Sequence, residues 1–168
     1  MYVIIIISIF VLLISAIFIN AMQQHRQKQE AERRTELAKQ RTIVDQTENV
    51  IAACVNMPVS SRIMGILHNR ILNALKAMND LSSTSELKQR ISSSEQATAA
   101  ALSDNSGITN DFALPDNDKM IIQYIQAVKK LRIVLRSEHS KGQIDSKVFM
   151  DEDKQLERLQ IKVNVETL

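Results

Sequence analysis

YVIIIISIFVLLISAIFI, Tyr2 to Ile19, is a run of eighteen residues whose only small polar members are Ser8 and Ser15, and Ala21 and Met22 extend it past Asn20. A helix rises 1.5 Å per residue, so about twenty residues cross a hydrocarbon core of roughly 30 Å. Both serines can return their hydroxyls to the helix's own carbonyls, which makes them compatible with lipid. A cleavable secretory signal is the rival reading, with Ile19-Asn20-Ala21 as the nearest thing to a processing site. Such a signal opens with a basic segment and has a shorter apolar core, whereas no Lys or Arg precedes this run. The stretch therefore reads as a single transmembrane anchor over residues 1–22.

The segment after the anchor sets its direction. Six cations, Arg26, Lys28, Arg33, Arg34, Lys39 and Arg41, sit between Met22 and Arg41. Short-range Lys and Arg bias places the basic flank in the cytoplasm, and the interspersed Glu30, Glu32 and Glu36 weigh little in that rule. The expectation is an outward N-terminus and a cytoplasmic C-terminal domain at a bacterial inner membrane. Residues 23–41 hold strong helix formers and no breaker, so they should continue the anchor's helix as a charged stalk, with Glu30/Arg34 and Glu36/Lys39 at helical pairing distance. Arg26, Lys28, Arg33 and Arg34 are candidate contacts for anionic lipid headgroups, each worth about 1 kcal/mol near the surface. The plainer reading is a solvated stalk whose cations fix topology.

The remaining chain, 42–168, is long enough for one domain. Aromatic residues make up only 4 % of the 168, there is no tryptophan, and there are three glycines and two prolines. That composition requires an aliphatic core and few sharp turns, so the fold class is all-α: an antiparallel bundle of about five helices. The single Cys54 fits a reducing compartment, since secreted domains of this size often carry paired cysteines.

Apolar spacing outlines the helices. Leu37, Ile43, Val44, Thr47, Val50, Ile51, Cys54 and Met57 step by three and four, a stripe wide enough to face several helices, until Pro58 stops it. Ser60 or Ser61 can cap a second helix running to about Asn79 through Ile63, Leu67, Ile71, Ala74, Leu75 and Met78. Ser83-Thr84-Ser85-Glu86 has the form of a capping box and opens a third helix, whose polar centre at Ser92-Ser93-Ser94-Glu95 should leave it the least buried. Residues 103–118, dense in turn formers, read as a linker in which Phe112 and Leu114 dock onto the bundle. Pro115 or Asp116 should begin a fourth helix with the most regular period of the chain, Ile121, Tyr124, Ile125, Val128, Leu131, Val134 and Leu135, ending at Gly142. Ser146 can cap a fifth, with Asp151, Glu152 and Asp153 in or near its first turn. Ile161 to Val165 alternates like a strand, but a lone strand has no partner, so helix should continue.

Motifs of chemistry are missing: there is no phosphate-binding glycine loop, no H-E-x-x-H, no C-x-x-C and no nucleophile elbow. No cofactor or metal is implied, and no catalytic residue is nominated. His25, His68 and His139 lack the spaced partners of a metal site. His68 reads as a partly buried side chain, and Cys54 as a small inert hydrophobe. Charge gives the one functional lead. From Lys119 to Lys147 seven cations face two acids, and Lys129, Arg132 and Arg136 share a helical side, a candidate patch for an anionic partner. Solvated face or internal salt bridges is the competing account, since the nearby acids at Asp151 to Asp153 can neutralise part of the patch, and nucleic acid is disfavoured because stacking aromatics are scarce. The expected function is a membrane-tethered adaptor or structural subunit that binds a protein partner or another copy of itself. The alternative is a small-ligand module with a pocket at His68, Asn69 and Arg70, and an enzyme of unrecognised type comes third.

Overall fold

The computed structural model describes residues 2–55, 57–103 and 118–165. Among the described residues the elements are all helices: α1 (Tyr2–Cys54), α2 (Ser61–Leu81), α3 (Ser85–Ser103), α4 (Asp118–Ser140) and α5 (Ser146–Val165). The chain divides into two compact units, Met1–Lys39 and Gln40–Leu168. The expected docking of Phe112 and Leu114, and the fourth helix's start at Pro115 or Asp116, lie outside the described residues.

Within the first unit, the apolar run forms a helix long and apolar enough to cross a membrane, and none of it is buried. Ser15 returns its hydroxyl to the Val11 carbonyl at 2.8 Å, which removes the polar cost of that side chain in an apolar medium. Further along, Thr35 does the same to Ala31 at 2.9 Å, and Lys39 pairs with Glu36 at 3.4 Å. The second pair is exposed, worth a few tenths of a kcal/mol at most.

The second unit holds the core. Val50 and Cys54 of α1, Met57, Ile63 and Leu67 of α2, Tyr124, Val128, Leu131 and Leu135 of α4, and Leu156 and Leu159 of α5 form one cluster. A smaller one joins Val44 to Ile71, Ala74 and Leu75, with Leu87 and Ile91 of α3 packed on its edge. α2 runs closest to α3, and α4 to α5, as two hairpins. α3 has no buried residue, because its sequence presents only a thin apolar line between polar positions. Two exposed ion pairs also hold it, Arg90 to Glu48 of α1 at 2.9 Å and Lys76 of α2 to Glu95 at 3.0 Å.

Helix ends follow local chemistry, with three departures from the sequence reading. Ser60 caps α2 as expected, its Oγ accepting from Ile63 N at 3.2 Å. α3 is capped by Thr84 rather than Ser83: Thr84 Oγ1 accepts from Leu87 N at 3.3 Å. α5 is capped by Asp145 rather than Ser146, through Lys147 N at 3.1 Å. A carboxylate just before the first turn also suits the helix dipole, which makes Asp145 the better cap. The third departure is that Asp151, Glu152 and Asp153 fall beyond the first turn of α5, where two of them meet partners outside that helix. α4 closes with Gln143 N on Glu138 O at 3.0 Å and Gly142 N on His139 O at 2.9 Å. Gly142 has φ 72°, the left-handed turn that this double closure requires and that glycine adopts without strain. α5 remains helical through Val165, so the alternation from Ile161 does not make a strand.

Candidate functional site

Bundle packing puts charge where an aliphatic core alone would not. Arg70 of α2 donates to Glu138 of α4 at 2.6 Å, and both side chains are almost fully buried. Lys141 adds a second cation to Glu138 at 2.9 Å from the helix end. A second polar link between the hairpins joins α5 to the start of α2: Glu152 is 2 % exposed and accepts from Ser60 Oγ at 2.7 Å, with Arg62 at 3.8 Å. Each buried carboxylate thus has a hydroxyl or cation beside it, which offsets the desolvation of burying a charge.

Arg132, Lys129 and Arg136, nominated together for an anionic partner, meet different fates. Arg132 forms a two-point pair with Asp153 across the α4–α5 groove, Nε to Oδ1 at 2.8 Å and Nη2 to Oδ2 at 3.0 Å, and reaches Gln160 at 3.3 Å. The hydrogen bond from Arg132 holds the Asp153 carboxyl below the ordinary carboxylate range, the charges of Arg132 and Arg136 act in the same direction, and burial opposes them. Lys129 and Arg136 stay exposed on α4, so the structure leaves these two facing solvent beside a neutralised third. Arg26, Lys28, Arg33 and Arg34 are exposed along α1.

A cleft of about 550 Å³ opens between α1, α2 and α3. Ile51, Ile71 and Leu75 line it with apolar surface, while Glu48, His68, Glu86, Arg90 and Ser94 supply polar groups. Ser94 has a buried hydroxyl without a hydrogen-bond partner. Partial burial pushes the His68 imidazole below its usual range, favouring the neutral ring. The pocket expected at His68, Asn69 and Arg70 is not assembled in that form: positions two apart point to nearly opposite sides of a helix, so His68 borders the cleft while Arg70 is committed to Glu138.

No family model, curated protein or solved structure matches this chain. Its function must be read from the site chemistry alone. Cys54, 3 % exposed, has its thiol pushed up to about 11 by burial, which leaves it protonated and unreactive at neutral pH. Among the described residues no group of three or more His, Cys, Asp or Glu is placed to hold a metal ion. What sequence reasoning missed is the pairing itself: Ser60 with Glu152, and Arg70 with Glu138, are separated by 92 and 68 positions, and no local pattern announces such contacts.

Proposed function

We propose that the chain is a membrane-tethered helical adaptor or structural subunit, anchored once through Tyr2–Ile19 with its N-terminus outside and its bundle on the cytoplasmic face of a bacterial inner membrane. The observation that carries this reading is the exposure of the apolar run along its whole length, with large side chains from Tyr2 to Ile19 that are 52–84 % exposed. Each such side chain would gain on the order of 1.5–3 kcal/mol on leaving water, and none of the described residues takes them in. Lipid is the natural solvent for them. The basic residues after the run supply the orientation. The bundle's two buried carboxylates are engaged internally, Glu138 by Arg70 and Glu152 by the Ser60 hydroxyl, which leaves the surface as its working part.

Crosslinking in native membranes, followed by solubilisation and capture of the tagged full-length chain, tests the reading. A near-stoichiometric protein partner is the expected result. Recovery of the chain alone, as monomer or dimer, would overturn the adaptor role.

The α1–α2–α3 cleft favours a second reading, a small-ligand module, because its volume falls in the roughly 300–1,000 Å³ range of ligand pockets and it holds the unpartnered Ser94 hydroxyl. A compound that raises the melting temperature of the full-length chain, and no longer does so in Arg90→Ala or Ser94→Val, would favour that reading over the first.

A further inference from the structure

We infer that the outer face of the α4–α5 hairpin is the docking surface for an acidic amphipathic helix of a partner protein. This inference rests on the adaptor reading and names the surface and the chemistry of its partner.

On α4, Ile122 and Ile133 are 56 % and 67 % exposed and lie about three turns apart, on the side turned away from the buried Tyr124, Val128, Leu131 and Leu135. α5 repeats the spacing with Met150 and Ile161, 55 % and 56 % exposed, away from the buried Leu156, Leu159 and Val163. The two stripes lie on the same face. Arg132 reaches Asp153 and Gln160, so these residues mark where the two helices meet, and the pair is itself still about a fifth exposed. Passing from that seam away from the core, α4 presents Lys129, Arg136 and Ile133, and α5 presents Glu157, Met150 and Ile161. The seam is therefore the floor of a furrow between two helices, flanked first by Lys129 and Arg136 on α4 and Glu157 on α5 and, further out, by the exposed aliphatic side chains.

A helix fits such a groove, since ridges on one helix settle between two others and the apolar contacts recur at whole turns. Charge selects the occupant. Lys129, Arg132, Arg136 and Lys154 stand on this face against Asp153 and Glu157, and Arg132 is already matched. Two copies meeting through this face would set like charges opposite each other. A partner helix with acidic residues beside its apolar stripe would meet Lys129, Arg136 and Lys154 with opposite sign.

The test uses the full-length chain in native membranes, with a benzoylphenylalanine photocrosslinker at the position of Ile133 and, in a separate chain, at the position of Ser92 on α3. The expected result is a protein adduct at Ile133 whose crosslinked peptide is an acidic amphipathic segment, with a yield that falls about tenfold when Lys129→Glu and Arg136→Glu are combined. These residues are exposed, so an unchanged helical circular-dichroism melt confirms that the charge reversal leaves the fold intact. A protein adduct at Ser92 alone would overturn the α4–α5 surface and leave the adaptor reading standing. Adducts at neither position would overturn both. A self-adduct or a lipid adduct at Ile133, or a yield indifferent to charge reversal, would overturn the acidic-helix assignment.

Discussion

Ser60 and Glu152, 92 positions apart, are joined by a 2.7 Å hydrogen bond in which the serine hydroxyl donates to the carboxylate. The same oxygen accepts from Ile63 N, so one side chain caps α2 and ties it to α5. Replacing Ser60 with Ala removes a cap and leaves Glu152 with only the distant Arg62 guanidinium at 3.8 Å. The expected loss is about 2 kcal/mol or more, read as a lower melting temperature of the full-length chain in detergent. Glu152→Gln, which retains an acceptor for Ser60, should lose less.

Arg70→Met tests the second buried pair. It removes the shorter of the two cation contacts on Glu138 and leaves Lys141 as the sole cation beside a buried carboxylate. The expected destabilisation is about 3 kcal/mol, and the double change Arg70→Met with Glu138→Leu should recover much of it, since a buried ion pair replaced by apolar groups is often neutral. A denaturant titration of the three chains measures this coupling.

The Arg132–Asp153 pair gives the bundle an acid-sensitive contact. The folded-state carboxyl titrates below its ordinary range, so its stabilisation is fully present above that range and is lost as pH falls through the folded value. Asp153→Asn should therefore lower stability at pH 7 by about 1 kcal/mol, a modest figure for a partly exposed pair. The gap between the two chains should narrow below about pH 4, which melting curves across pH will show.

Cys54 should resist alkylation. With its thiol pushed up to about 11, the thiolate fraction near pH 8 is on the order of a hundredfold below that of an unperturbed cysteine. Mass spectrometry after iodoacetamide treatment should find it unmodified in the folded chain and modified after denaturation.

Much of the architecture was legible because it is periodic. The apolar run declared its length, the three-and-four steps of α4 declared its buried side, and Gly142 declared where that helix turns. Cap positions were legible only to within a residue, because Ser83 and Thr84, or Asp145 and Ser146, are neighbours that can all accept from a helix N-terminus, and the backbone path chooses between them. The polar contacts between helices were legible only in part. Arg132 shares helical spacing with Lys129 and Arg136, and the acids at Asp151 to Asp153 could be expected to neutralise part of that stripe, but only packing shows that Asp153 is the one that pairs with Arg132. The exposed aliphatics of the α4–α5 face were legible in part: Ile133 falls outside the three-and-four steps that include Leu131, and it is 67 % exposed where Leu131 is 1 % exposed.

Protease protection in sealed membrane vesicles containing the full-length chain tests most directly the proposal that the bundle is tethered on the cytoplasmic face. The expected result is that the bundle is digested in inside-out vesicles, is protected in right-side-out vesicles, and sediments with the membrane under alkaline carbonate before digestion. Release of the chain into the carbonate supernatant, or digestion of the bundle from the outer face, would contradict it.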